Sequence, residues 1–119
     1  MPIYELTWLP DGFGEPDVYK SETTYSALYE NTGTGDIIGF DYYLLNEEIQ
    51  TELYTTQQPE HLLVRGADAD FYLAYDDSDF SNLLWVETET GVLCSINSTL
   101  SKEDILRIAE SISLSDTVK

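Results

Sequence analysis

The two residue types from which small catalytic and metal sites are most often built are almost missing from this chain, which holds one Cys and one His in 119 residues. A lone Cys94 excludes an intrachain disulfide, and one His with one Cys excludes a transition-metal cluster of nitrogen and sulfur ligands. Basic residues are scarce as well: five Lys and Arg face 23 Asp and Glu, for a formal charge of -18. A surface this negative repels phosphate backbones and anionic headgroups, so neither nucleic acid nor direct electrostatic binding to a membrane is expected. No apolar run approaches the roughly 20 residues needed to span a bilayer. The opening residues also lack the positively charged segment followed by an apolar one that marks a signal peptide. Met1-Pro2 leads within a few residues into a strand-like pattern, so a leader or anchor, if the protein has one, is expected upstream.

What is present is a folding composition. Hydrophobic residues make up 42% of the chain, and nine Tyr, four Phe and two Trp are too many aromatics for a disordered acidic tail. The length fits one domain, residues 1–119, with a modest apolar core.

Residues 3–9 alternate in a strand-like way and stop at Pro10-Asp11-Gly12, a turn signal. Residues 13–22, with Gly14 and Pro16, read as irregular. Residues 24–30 put Tyr25, Ala27 and Tyr29 on one face, and Ile38, Phe40, Tyr42 and Leu44 form a matching set beyond a glycine-containing loop, which predicts a hairpin. The polar stretch 46–60, where Ile49, Leu53 and Tyr54 are the only large apolar residues, fits a short strand or a loop. A second hairpin is predicted around Gly66-Ala67-Asp68, with Leu62, Val64, Phe71, Leu73 and Tyr75 as its apolar positions. A third is predicted from residues 83–87 and 92–96 around Thr88-Glu89-Thr90-Gly91. Cys94, among Val92, Leu93 and Ile96, reads as a small core residue of that hairpin.

Residues 101–112 carry several helix signals that agree. Ser101 and Asp104 have capping-box spacing, and Leu100 and Ile105 the spacing of a hydrophobic staple. Ile105, Ile108, Ala109 and Ile112 then share one face, away from Lys102, Glu103, Arg107 and Glu110. Consecutive hairpins imply an antiparallel sheet, and one amphipathic helix needs an apolar surface to lie on. The expected architecture is therefore α+β: about six strands with the C-terminal helix packed on one face and the other face partly exposed.

Catalysis is hard to assemble from these residues. A nucleophile and base pair would have to use His61 with Cys94 or a distant Ser, and none sits in a nucleophile-elbow context. His61, beside Pro59-Glu60 at a strand start, reads as a surface residue. Calcium is the stronger chemical option. Asp76, Asp77 and Asp79, with Asp68 and Asp70 as neighbours across the sheet, concentrate hard oxygen ligands. The pattern lacks the glycine and distal Glu of an EF-hand loop, and acidic residues are common in turns because they hydrogen-bond locally. No other cofactor is expected: Gly33 and Gly35 sit in a hairpin rather than before a helix, which excludes a phosphate loop.

Five groups of residues also carry a resemblance: Tyr4 to Leu9 with Pro10-Asp11-Gly12-Phe13; Tyr29-Glu30-Asn31; Val64-Arg65-Gly66 leading to Phe71-Tyr72; Leu84-Trp85; and, most specific, Ser101-Lys102-Glu103-Asp104-Ile105 with Ile108-Ala109-Glu110-Ser111-Ile112. In this order they resemble bacterial domain-of-unknown-function family 4367, found at the extracytoplasmic end of membrane-anchored, anti-sigma-factor-like proteins and in lipoproteins. The resemblance covers most of the chain and is poor over residues 45–60. It implies an extracytoplasmic module of the bacterial envelope, exported or anchored through a segment outside these residues, with no established ligand and no catalytic residues to carry over. The expected role is non-enzymatic: sensory, or binding a protein, peptide or envelope component through the exposed side of the sheet. The tyrosine excess favours such a surface, because Tyr suits contacts with one apolar and one wet side. The alternative is a small acidic inhibitor or immunity-type protein that masks a basic partner by charge complementarity.

Overall fold

The structure, a computed structural model, describes residues 3–44, 59–74 and 80–115. Its strands are β1 (Ile3–Glu5), β2 (Asp17–Lys20), β3 (Thr24–Glu30), β4 (Ile37–Leu44), β5 (Glu60–Val64), β6 (Ala67–Tyr72), β7 (Ser81–Val86), β8 (Val92–Ser98) and β9 (Ser113–Ser115); the helix α1 (Lys102–Glu110) lies between β8 and β9. Seven strands form one antiparallel sheet in the order β2-β3-β4-β8-β7-β6-β5, and β1 pairs with β9 in a separate ribbon. The fold is α+β, as expected from the hairpins and the helix. The three predicted hairpins are β3-β4, β5-β6 and β7-β8, and the pairing of β4 with β8 joins the first to the other two.

Two of the nine described strands lie outside the segments read as strands from the sequence. Edge strand β2 falls in the stretch read as irregular, and all four of its residues are exposed, so no buried alternation marks it. The other is β9, whose three residues pair with β1 at the far end of the chain. The strand expected over residues 3–9 ends at Glu5. Beyond it the backbone ladder stops, although Thr7 still hydrogen-bonds Ser111 through side chains, and Leu6, Trp8 and Leu9 pack against the core.

Alternation along the strands separates two faces. On one face Ile38, Phe40 and Tyr42 of β4, Val92, Cys94 and Ile96 of β8, Leu83 and Trp85 of β7, and Phe71 of β6 are buried beneath the helix and the ribbon. Ile105, Ile108, Ala109 and Ile112 close this core from the helix side. Ser101 caps the helix as its spacing predicts, its Oγ accepting from the Asp104 amide at 3.3 Å. The second hairpin turns at Arg65-Gly66 rather than at Gly66-Ala67-Asp68, a two-residue turn with positive φ at both positions, 53° and 78°. Primed turns of this kind match the right-handed twist of the strands they join. Leu73, read as inward, lies past the end of β6 and is 63% exposed.

Tyrosine serves the core more than expected. Tyr4 and Tyr42 are buried and meet edge to face at 5.1 Å, and the half-buried Tyr25 stacks on Tyr42 at 4.7 Å. Each polar end is satisfied: the Tyr42 Oη accepts from the Tyr4 amide at 3.1 Å, and the Tyr4 hydroxyl bonds Thr90 Oγ1. Burial raises the pKa of both phenols above its usual value.

Candidate functional site: the open face of the sheet

The second face of the sheet carries no helix. The register places Ser26, Asp41, Ser95, Leu84, Asp70 and His61 in one row across it, from β3 to β5. Beside that row Val86 pairs with Leu93, and Asn82 with Asn97. Strands β6, β7 and β8 form a trough here of about 740 Å³, with Leu84, Val86 and Leu93 as floor and Asp68, Asp70 and Tyr72 along one side. A smaller recess of about 370 Å³ continues past Leu84 to Asp41, Asn82, Ser95 and Asn97. The Ser26 hydroxyl donates to the Asp41 carboxylate, and His61 Nδ1 bonds Asp70 Oδ1 at 2.7 Å in the open.

His61 and Cys94 are not brought together. His61 projects from the open face with 80% of its side chain exposed, whereas Cys94 is fully buried on the opposite face. Burial, reinforced by nearby Glu87, pushes the Cys94 thiol up to about 12, so it stays protonated and unreactive at neutral pH. The calcium candidates Asp76, Asp77 and Asp79 lie outside the described residues. Their proposed neighbours Asp68 and Asp70 are on β6, facing the trough. Among the described residues no three His, Cys, Asp or Glu side chains are grouped so as to hold a metal ion.

Two polar clamps, neither expected from the sequence, hold the scaffold behind this face. In the first, the Arg65 Nε donates to both Glu87 oxygens at 3.1 Å, and the Arg65 guanidinium also donates to the Ile112 carbonyl. Glu87, only 7% exposed, accepts from Trp85 Nε1 at 2.7 Å. The Arg65 amide donates to Glu110 Oε1 at 2.9 Å, so one turn residue ties together two hairpins and the end of the helix. In the second, buried Asn31 accepts from the amides of Gly33 and Thr34 and donates to the Asp11 carbonyl. Gly12 stands against it with φ +100°, and a Cβ there would come within 2.6 Å of Asn31 Nδ2. The signal for the first clamp was a basic residue isolated in an acidic chain beside a turn glycine.

These clamps use Asp11-Gly12, Asn31, Arg65-Gly66, Trp85 and Glu110, residues that also carry the resemblance described above. Their roles are structural: turn, buried anchor and cross-link. Of the trough residues, Leu84 and Tyr72 also belong to that set, and Asp68, Asp70, Val86 and Leu93 stand outside it. No curated protein matches the chain. The family model for a domain of unknown function, DUF4367, matches residues 3–112, which include every strand from β1 to β8 and the whole helix. The chain belongs to that family.

Proposed function

We propose that this domain is a non-enzymatic interaction module, carried on the extracytoplasmic side of a bacterial envelope protein of anti-sigma-factor-like organisation, and that it binds its partner on the open face of the sheet. The observation that carries this reading is the trough: one face of the sheet is closed by helix and ribbon, while the other leaves Leu84, Val86 and Leu93 accessible between polar margins. A concave surface with an apolar floor and a few polar groups is the usual form of a binding site. The separation of His61 from Cys94 favours binding over catalysis. The competing role, an acidic inhibitor that masks a basic partner, draws on the same charge. An export or membrane-spanning segment encoded in the same reading frame favours the envelope module, and an adjacent toxin gene favours the inhibitor.

Photo-cross-linking in the native host tests the site itself. A photoreactive side chain at Leu84 or Leu93 should trap a partner, and one at the exposed helix position Glu103 should not. Cross-links formed only from Glu103 would overturn the reading.

A further inference from the structure

We propose that the trough accepts a cationic segment of a partner protein, one in which apolar residues alternate with Lys or Arg. This rests on the reading of the open face as the contact surface and goes further by assigning the chemistry of the occupant. The argument is the distribution of charge between the two faces. Among the described residues, the strands present Asp17, Glu30, Asp41, Asp68 and Asp70 on the open face and no Lys or Arg.

Every described basic residue is committed elsewhere. Arg65 is held by Glu87, its Nη2 at 3.0 Å from Oε1, and Lys102 pairs with Glu60 at 2.5 Å. The Arg107 guanidinium lies 4.1 Å from the centre of the Trp8 ring, and Lys20 reaches over Tyr25. All four sit in the Arg65 turn, on the helix or on the helix-bearing side of the sheet. The open-face carboxylates therefore have no Lys or Arg among the described residues to offset them on that face, and His61 there is hydrogen-bonded to Asp70.

The floor then sets the rest of the pattern. Asp70 lies directly across from Leu84, and Val86 directly across from Leu93, so carboxylates flank the apolar strip within one strand spacing. An extended segment directs alternate side chains to opposite sides. Its apolar residues fill the strip, and the long stems of the intervening Lys residues reach back to Asp68 and Asp70. A second copy of this chain is a poor occupant, since it brings the same charge of -18 and the same acidic face. An anionic polymer or lipid surface is repelled for the same reason.

The test is a fluorescence titration of the full chain with three synthetic peptides, alternating Lys with Val, Glu with Val, and Lys with Ser, at low and high salt. The Lys-Val peptide should bind, and the other two should bind at least about tenfold more weakly. Asp68→Asn with Asp70→Asn should weaken Lys-Val binding about tenfold, in the range expected for losing two exposed ion pairs and their steering. Leu84→Ser with Leu93→Ser should weaken it as well, while melting confirms that both double variants remain folded. Tighter binding of the Glu-Val peptide, no binding of any peptide, or indifference to the Asp changes would overturn the proposal. So would a dimer in sedimentation equilibrium that the Leu84 and Leu93 changes dissolve. If Glu-Val binding or dimerisation is lost on changing Leu84 and Leu93, the open face remains the contact surface and only the cationic assignment fails. If Lys-Val binding survives those changes, both readings fail together.

Discussion

Replacing Arg65 by Ala should be among the most damaging single changes in this domain, although the residue lies in a hairpin turn. The substitution strands Glu87, which is 7% exposed and keeps only the Trp85 indole as a side-chain donor. It also removes the guanidinium donor to the Ile112 carbonyl. The side chains of Arg65 and Glu87 are only 20% and 9% exposed, so solvent screens the pair little. Breaking a pair this buried by deleting one partner costs about 3 to 5 kcal/mol. For a domain of ordinary stability that is about a fifth or more of the total, and it lowers Tm by about 10 to 20 °C. The φ of 53° at Arg65 separates side chain from backbone. Arg65→Gly loses the same ion pair but relieves the left-handed strain, so it should be about 1 kcal/mol less damaging than Arg65→Ala. Glu87→Gln keeps an acceptor for Trp85 while removing the charge. Combined with Arg65→Ala it should cost less than the sum of the two single changes by about 1 to 3 kcal/mol, the signature of groups in one network. Urea denaturation of the four variants and the parent measures all of this. Additive losses, or an Arg65→Ala variant within about 0.5 kcal/mol of the parent, would refute the clamp.

Three further outcomes test the scaffold. Ile108→Ala, at a fully buried helix position, should cost about 2 to 4 kcal/mol in the same denaturation assay, and a smaller effect would make the helix peripheral. Gly12→Ala should cost about 1 to 3 kcal/mol, because φ +100° is strained for Ala and the added Cβ meets Asn31; a neutral result would remove the second clamp. The Cys94 thiol is raised by burial from 9.0 to about 12, so the unfolded chain loses this proton first. Stability from this group is therefore complete below about pH 9 and is lost as pH rises toward 12, and Cys94→Ala should flatten that alkaline decline. A thiol reagent that labels the folded protein at pH 8 would contradict it.

The elements legible in the sequence are those whose determinants are local. The helix start follows from Ser101, Asp104 and the staple pair within six residues, and the hairpins from glycine-bearing turns between alternating runs. Edge strand β2 was hidden because Asp17, Val18, Tyr19 and Lys20 are all exposed, so its alternation leaves no trace of burial. The ribbon of β1 and β9 joins Ile3 to Ser115, a pairing that no local pattern announces. The same holds for Arg65 with Glu87: the lone basic residue was visible, its partner 22 positions on was not. Tyrosine divides between the two sides: Tyr4, Tyr25, Tyr29 and Tyr42 belong to the core side, the last three as the alternation of the first hairpin placed them, whereas Tyr72 lines the trough. The open face itself was foreseeable as the complement of the inward positions. That Asp68, Asp70, Leu84, Val86 and Leu93 gather in one trough depends on the order of β6, β7 and β8, which the separate hairpins leave open.

The open face as contact surface is tested most directly by amide chemical-shift mapping of the isotope-labelled protein during titration with the alternating Lys-Val peptide. Saturable shifts should concentrate at Asp68, Asp70, Leu84, Val86 and Leu93 and leave the buried helix residues Ile105 and Ile108 in place. Shifts confined to the helix and the β1–β9 ribbon, with the trough amides unmoved, would contradict the account.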